Sequence, residues 1–400
     1  MTAVVANDSS EPRFRWAPLA VALSLCGAAG AMRTISIPLF ATRVLGASTS
    51  QLGLLIGLTT GTAVIVELTV GRRSDRIAKR HLLIAAAAAW LALGYTLAAT
   101  SVTAFWWLLP LAPVFFAFAG VPSSQLLTVG RVRLAGAAPT SRNRLMFSTL
   151  RACFSVGFAL GPLLVAPFLR WGPRRALLLL GGSWAAIAAL TLLGTDRRPM
   201  PPPPPRAGGL WRPSLLPLVI GFMLIISVDT LKSTFIAVFA DRELHAGVDQ
   251  IALLFTVSSA LNLVFMPISG AAADRWGPRP VVQLCAVVGA AAALGTSLAT
   301  SSWQLVGLQL CHAAYTGGIL SVGLSLMQDQ FTGRPALGAS LYSISFQLSS
   351  VTASLAGGLI AQRFGLRVVF GGAAVAAVLG SILVGLAAAP PAPPPAHDRS

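Results

Sequence analysis

The sequence predicts an all-α membrane protein with twelve transmembrane helices in two pseudo-symmetric six-helix bundles. Three observations carry this prediction. Hydrophobic residues make up 55% of the chain and charged ones only 10%, against roughly 25% charged in an ordinary soluble domain. About twelve apolar runs of helical length follow one another along the chain. Finally, MRTISIPLFATRVLGAS at 32–48 aligns without a gap on LKSTFIAVFADRELHAG at 231–247, an offset of 199 residues.

The runs cover residues 16–40, 51–71, 82–100, 105–128, 145–168 and 175–194, then 214–239, 250–271, 280–300, 303–327, 338–361 and 368–389. Each is long enough to cross a hydrocarbon core of about 30 Å at about 1.5 Å per residue. Helix is the element required, because a spanning strand would alternate with period two. Between the sixth and seventh runs lies GTDRRPMPPPPPRAGGLWRP, which is Pro-rich, basic and without apolar periodicity. It reads as a linker. The expected domains are therefore residues 1–194, a cytoplasmic linker at 195–213, a second half at 214–389, and a disordered cytoplasmic tail at 390–400 containing PPAPPPAHDRS.

The net charge of +17 sits in the gaps between apolar runs. That placement fits loops flanking membrane helices and argues against nucleic acid as a partner. With the N-terminus inside, the inner segments hold 19 Lys and Arg residues and the outer ones seven, and three lie within runs. This asymmetry places both termini in the cytoplasm, in a bacterial-type inner membrane. Trp16, Trp106, Trp107, Trp171, Trp211, Trp276 and Trp303 fall near run ends, as an interfacial belt requires. Cys26, Cys153, Cys285 and Cys311 lie in apolar runs without metal-ligand spacing, so neither a disulfide nor a metal is expected. Residues 1–15 are polar, so the first run is expected to remain as a helix rather than a cleaved signal.

The offset of 199 continues past the doubled segment: Gln51 meets Gln250, Leu54 meets Leu253, Gly71 meets Gly270, and Asp75-Arg76 meets Asp274-Arg275. Further on, RWGPR at 170–174 resembles RFGLR at 363–367, at an offset of 193. Two parallel repeats place a substrate path between the halves and open it by rocking. The loop GRRSDRIAKR at 71–80, with its degenerate copy GAAADRWGPR at 270–279, resembles the signature loop of the major facilitator superfamily. The resemblance makes Gly71, Asp75, Arg76, Gly270, Asp274 and Arg275 gating residues. Glycine allows close helix approach, and aspartate binds backbone donors or pairs with arginine.

Within that superfamily, SSQLLTVGR at 123–131, RNRLMFSTLRACFSVGFALGP at 142–162, QDQFTGR at 328–334 and LIAQRFG at 359–365 resemble the sugar efflux transporters. This likeness covers most of the chain and implies export of sugars or glycosides by proton antiport, with a small-molecule substrate, protons and the lipid bilayer as partners. A monomer is expected. The chain departs from the family pattern at Arg33, where a neutral polar residue is usual, at Asp229, where an amide is, and at Asn262, where an acid is.

Charges inside membrane helices are costly and mark cavities or pairs. Arg33 in the first run either donates to substrate or pairs with Asp229. Asp229 and Lys232 lie three apart on one helical face and either neutralise each other or serve the path, Asp229 as a proton carrier. Arg151, in the fifth run, snorkels or faces the cavity, and the family likeness favours the cavity. Glu67 pairs with the Arg72 and Arg73 cluster or carries protons. Gln125, Asn262 and Gln347 are amides able to donate to and accept from sugar hydroxyls, or to bridge helices. His312 lies in a run and reads as a satisfied polar residue.

No GxxxxGK[ST], HExxH, Cys-x-x-Cys pair or Ser-His-Asp set occurs, so neither ATP drive, a cofactor nor an enzyme is expected. The alternatives to sugar export are efflux of drugs or hydrophobic metabolites by the same fold, and a sensor that moves no solute.

Overall fold

The computed structural model describes residues 16–74, 79–135, 141–194, 216–331 and 335–386. The expected linker, the tail, and Asp75 and Arg76 lie outside the described residues. Among the described residues, twelve helices are long and apolar enough to cross a membrane. In the first half they are α1 (Trp16–Val44), α2 (Thr49–Val70, continuing to Ser74), α3 (Arg80–Thr100), α4 (Phe105–Gly130), α5 (Thr149–Arg170) and α6 (Pro173–Gly194). In the second they are α7 (Leu216–Arg242), α8 (Val248–Trp276), α9 (Pro278–Leu298), α10 (Ser302–Asp329), α11 (Leu337–Phe364) and α12 (Leu366–Leu386). No strand occurs among the described residues. Large apolar side chains such as Leu193, Leu359 and Leu386 are exposed on the outside of the bundle, and Trp106, Trp107, Trp171, Trp276 and Trp303 are exposed at helix ends. Trp211 lies outside the described residues.

The sequence repeat is reproduced in side-chain contacts. Arg174, at the start of α6, donates to Ala99 O at 2.7 Å and Val102 O at 2.8 Å, and lies 5.5 Å above the Phe40 ring. Arg367, at the start of α12, donates to Ser297 O at 2.9 Å and lies 5.5 Å from the Phe239 ring. Each cation thus closes the C-terminal carbonyls of a neighbouring helix and stacks on a phenylalanine. Gln51 Oε1 accepts from the Ser48 amide at 2.8 Å, and Gln250 Oε1 accepts from the Gly247 amide at 3.2 Å. These residues satisfy the same free amides at the starts of α2 and α8.

We call the end where α1 begins the terminal end and the other the distal end. Among the described residues the halves meet chiefly through α1 with α7, α2 with α11 and α5 with α8. α2 and α11 approach so closely that a Cβ on Gly53 would lie 2.4 Å from Ser354 O and 2.8 Å from Gly358 Cα. Only glycine fits there. One turn on, a Cβ on Gly57 would meet the Leu355 side chain at 2.8 Å. Gly53→Val should therefore destabilise this arrangement by about 1–3 kcal/mol through overpacking. Gly182→Val, where a Cβ would meet nothing within 4 Å, should leave stability unchanged; thermal unfolding of the two purified variants checks this.

Candidate functional site

The distal end is held shut by a reciprocal pair of arginines. Arg43, at the end of α1, donates through Nε and Nη2 to the two carboxylate oxygens of Asp241 at the end of α7, with Nε–Oδ2 at 2.9 Å. Its repeat partner Arg242 reaches back to Ala47 O at 3.2 Å. The bidentate geometry suits a guanidinium–carboxylate pair. A π-helical turn at Phe40–Val44 ends α1, and from it the Arg43 side chain reaches the other half. Two further links lie at the same end: Arg170 Nη2 with Asp249 Oδ2 at 2.7 Å, between α5 and α8, and Thr49 Oγ1 with Gln362 Oε1 at 3.3 Å, between α2 and α11.

Toward the terminal end from this clasp, a cavity of 470 Å³ lies between the halves. Its size falls in the range of small-molecule sites, about 300–1,000 Å³. Arg33 from α1, Glu67 from α2 and Gln347 and Ser350 from α11 supply its polar wall, and Phe116, Phe154, Phe158, Trp184 and Phe346 supply aromatic faces. Gln347 Nε2 donates to Glu67 Oε2 at 3.1 Å, a hydrogen bond across the two halves. Room for the carboxylate comes from α4, which contains Pro110 and Pro113 and then narrows to a 3₁₀ turn at Phe116–Ala119 before Gly120. A Cβ on residue 120 would stand 2.1 Å from Glu67 Oε1, so glycine is needed for Glu67 to sit there. Arg33 makes no ion pair among the described residues and also borders a smaller space of 80 Å³ on the distal side.

The expected pairing of Arg33 with Asp229 is not formed. Asp229 lies behind the cavity in the second half, with Oδ1 at 3.1 Å from His312 Nε2 on α10. Nor does Lys232 pair with Asp229 at ion-pair distance: its Nζ donates to Ser258 Oγ on α8 at 2.9 Å and lies 5.7 Å from the Phe255 ring. Asn262 Oδ1 accepts from Thr316 Oγ1 at 2.8 Å, an interhelical bond between α8 and α10. Glu67 turns to Gln347 and the cavity; of its other expected partners, Arg73 is exposed and makes no ion pair with it, and the side chain of Arg72 lies outside the described residues. Arg151 is exposed and does not line the 470 Å³ cavity; it shares the α5 stripe of Phe154 and Phe158 but lies one turn nearer the terminal end. Gln125 is buried in α4, also away from that cavity.

Of the gating residues, Gly71 falls in the continuation of α2, and Asp274 and Arg275 are exposed at the end of α8, without an ion pair among the described residues. A Cβ on Gly270 would meet nothing within 4 Å. His312, which reads from the sequence as a satisfied polar residue, is hydrogen-bonded to Asp229; a histidine within an apolar run carries the same signal as Arg33, a titratable group in the membrane, and that signal marks it for a functional role as well.

Two repeated helical halves around a polar cavity, clasped at one end, form the architecture of a membrane transporter. The chain belongs to the Major Facilitator Superfamily, whose profile matches residues 19–231 and 218–400. It is 26% identical to Sugar efflux transporter B of Salmonella typhimurium over 86% of this chain and 88% of that protein, and 24% identical to Sugar efflux transporter A of Escherichia coli over 90% and 92%. Multidrug resistance protein MdtG of Citrobacter koseri is 26% identical over 62% of this chain and 63% of its own. A mutant of the nucleoside transporter NupG superposes with a TM-score of 0.80 at 13% identity, covering 92% of this chain and 98% of that one. The protein is thus a multi-pass membrane transporter.

Removing the clasp should loosen the distal end. An exposed ion pair contributes about 0.5–1 kcal/mol, or roughly a two- to fivefold change in population. Arg43→Ala should raise the rate at which a membrane-impermeant thiol reagent, applied from the distal face, labels Ser233→Cys by about that factor. The exchange Arg43→Asp with Asp241→Arg should restore the slower rate.

Proposed function

We propose that this protein exports sugars or glycosides across the cytoplasmic membrane by alternating access, in exchange for protons. In this reading the distal end faces outward, both termini are cytoplasmic, and residues 1–194 and 214–389 rock as two units about the 195–213 linker, in a monomer. The observation that carries the reading is the cavity wall shared by Arg33, Glu67 and Gln347 from both halves. Arg33 only donates, an ionised Glu67 only accepts, and Gln347 does both, which matches hydroxyl groups that do both. Similarity to two sugar efflux transporters over most of the chain supports the same cargo. The intramembrane carboxyls available to carry a proton are Glu67 and Asp229.

A second reading, efflux of drugs or hydrophobic metabolites, draws on the five aromatic side chains of the wall and the partial match to MdtG.

Everted vesicles with an acid interior separate these readings. Labelled lactose or a glucoside should accumulate, because outward proton flow then drives cargo inward. Losing a hydrogen bond to a charged group costs about 1.5–3 kcal/mol, so Arg33→Gln and Glu67→Gln should each weaken apparent sugar affinity by roughly 10–150-fold. Gly120→Ala, by displacing Glu67, should reproduce the Glu67→Gln defect. Accumulation of hydrophobic dyes without sugar would assign drug efflux. Silence for both would leave the sensor.

A further inference from the structure

Outside the cavity, the second half holds a cluster that the cargo reading does not use. Asp229 from α7 faces His312 from α10 at 3.1 Å, with side chains 32% and 6% exposed respectively. Lys232, one turn along α7, is buried against Ser258. A space of about 10 Å³, close to one water molecule, is bordered by both Lys232 and His312. Gln309 borders it too. Gln309 is only 2% exposed, and its Oε1 has no hydrogen-bond partner. An orphaned buried acceptor beside a water-sized space calls for a donor, and a water there supplies one.

The repeat sharpens the point. At the offset of 199, Lys232 matches Arg33, but Asp229 matches Gly30, Ser258 matches Thr59 and Asn262 matches Ala63. The acidic and amide members of the cluster therefore have no counterparts in the first half, so the cluster is not a by-product of the duplicated scaffold.

We propose that the Asp229–His312 pair is a proton-binding site separate from the substrate cavity. The proposal deepens the antiport reading and rests on it only for what the proton drives. Asp229, the more accessible member, exchanges protons with water. A bound proton is shared between Asp229 Oδ1 and His312 Nε2, turning carboxylate and neutral imidazole into carboxylate and imidazolium. No covalent bond other than the one to the proton forms or breaks. Lys232 offsets the carboxylate charge when the proton leaves. The other titratable groups packed around the pair are Tyr315 on α10, which donates to Ile225 O at 2.7 Å, Tyr342 on α11, which donates to Ile319 O at 2.8 Å, and Cys285 on α9. α8 brings the neutral Ser258 and Asn262. In α12 Arg367 is engaged with Glu243 at 3.1 Å. From α1 and α2, Arg33 and Glu67 face the cavity instead.

The test uses the purified full-length protein without cargo. Infrared difference spectra across pH 5–9 should show one carboxyl–imidazole transition, lost in Asp229→Asn and in His312→Gln and retained in Glu67→Gln. A transition unchanged in Asp229→Asn would overturn the proposal and leave the pair structural. If Asp229→Asn fails to fold, Gln309→Leu decides the matter, because loss of the water's acceptor should move the midpoint by about one pH unit; an unmoved midpoint would overturn the proposal. In vesicles, His312→Gln should lose gradient-driven accumulation more than tenfold while sugar exchange without a gradient stays within twofold of the parent. Loss of both together would place His312 on the cargo path and overturn the separation of sites. A transition that is present, with no cargo driven by acid in the parent protein, would uphold the proton site and reject antiport.

Discussion

Hydrocarbon offers no partner to a polar group, and that constraint organises this molecule. Every backbone amide in the membrane must be bonded within its own helix, so the described residues form twelve helices of membrane length and no strand. The same constraint sorts the charges. Those inside the bundle line a cavity, as Arg33 and Glu67 do, or find a neighbour, as Asp229 and Lys232 do. Those at the helix ends reach across to the other half, as Arg43 and Arg170 do. Each position is a response to the cost of leaving charge unpaired in lipid.

Duplication gives both halves one backbone plan, and the side chains then divide the work. Arg174 with Phe40 and Arg367 with Phe239 keep the same job, closing a neighbouring helix end. Arg43 and Arg242 keep the same place but exchange targets, one binding a carboxylate and the other a carbonyl. The clasp is thus asymmetric in chemistry though symmetric in position. Deeper in the bundle the halves part further, with most of the aromatic faces around the cavity on the first and a buried titratable cluster in the second.

The fold was legible because its signals are collective: composition, run length and the offset of 199 each sum over many residues. The site was legible only in part. Arg33, Glu67 and Gln347 were selected by being polar in an apolar run, and they share a wall. The same signal could not pair them, since pairing depends on helix rotation, which sequence spacing does not fix. Asp229 turns to His312 rather than to Arg33 because α7 packs against its own half along most of its length. Arg151 lies on the α5 stripe of Phe154 and Phe158 yet is exposed one turn nearer the terminal end, a depth that sequence spacing does not fix either.

Two sites in different halves exchange free energy only through an element that both of them bias. α7 is well placed for that role. Asp229 sits beside Thr230, whose Oγ1 lies 3.5 Å from Ser350 Oγ on α11, and Ser350 lines the cavity. One turn further toward the distal end, Thr234 Oγ1 lies 3.3 Å from Ser354 Oγ, at the level where Gly53 and Gly358 pack. α7 then ends at Asp241 and Arg242, the second half's share of the clasp. A change of charge at Asp229 therefore acts on a helix that touches the cavity wall, the glycine contact and the distal clasp in succession. Rigid packing makes such a helix move as a unit rather than bend locally. On the proposed reading, protonation, cargo contact and distal closure meet on this one element, and no longer chain of residues is needed to join them.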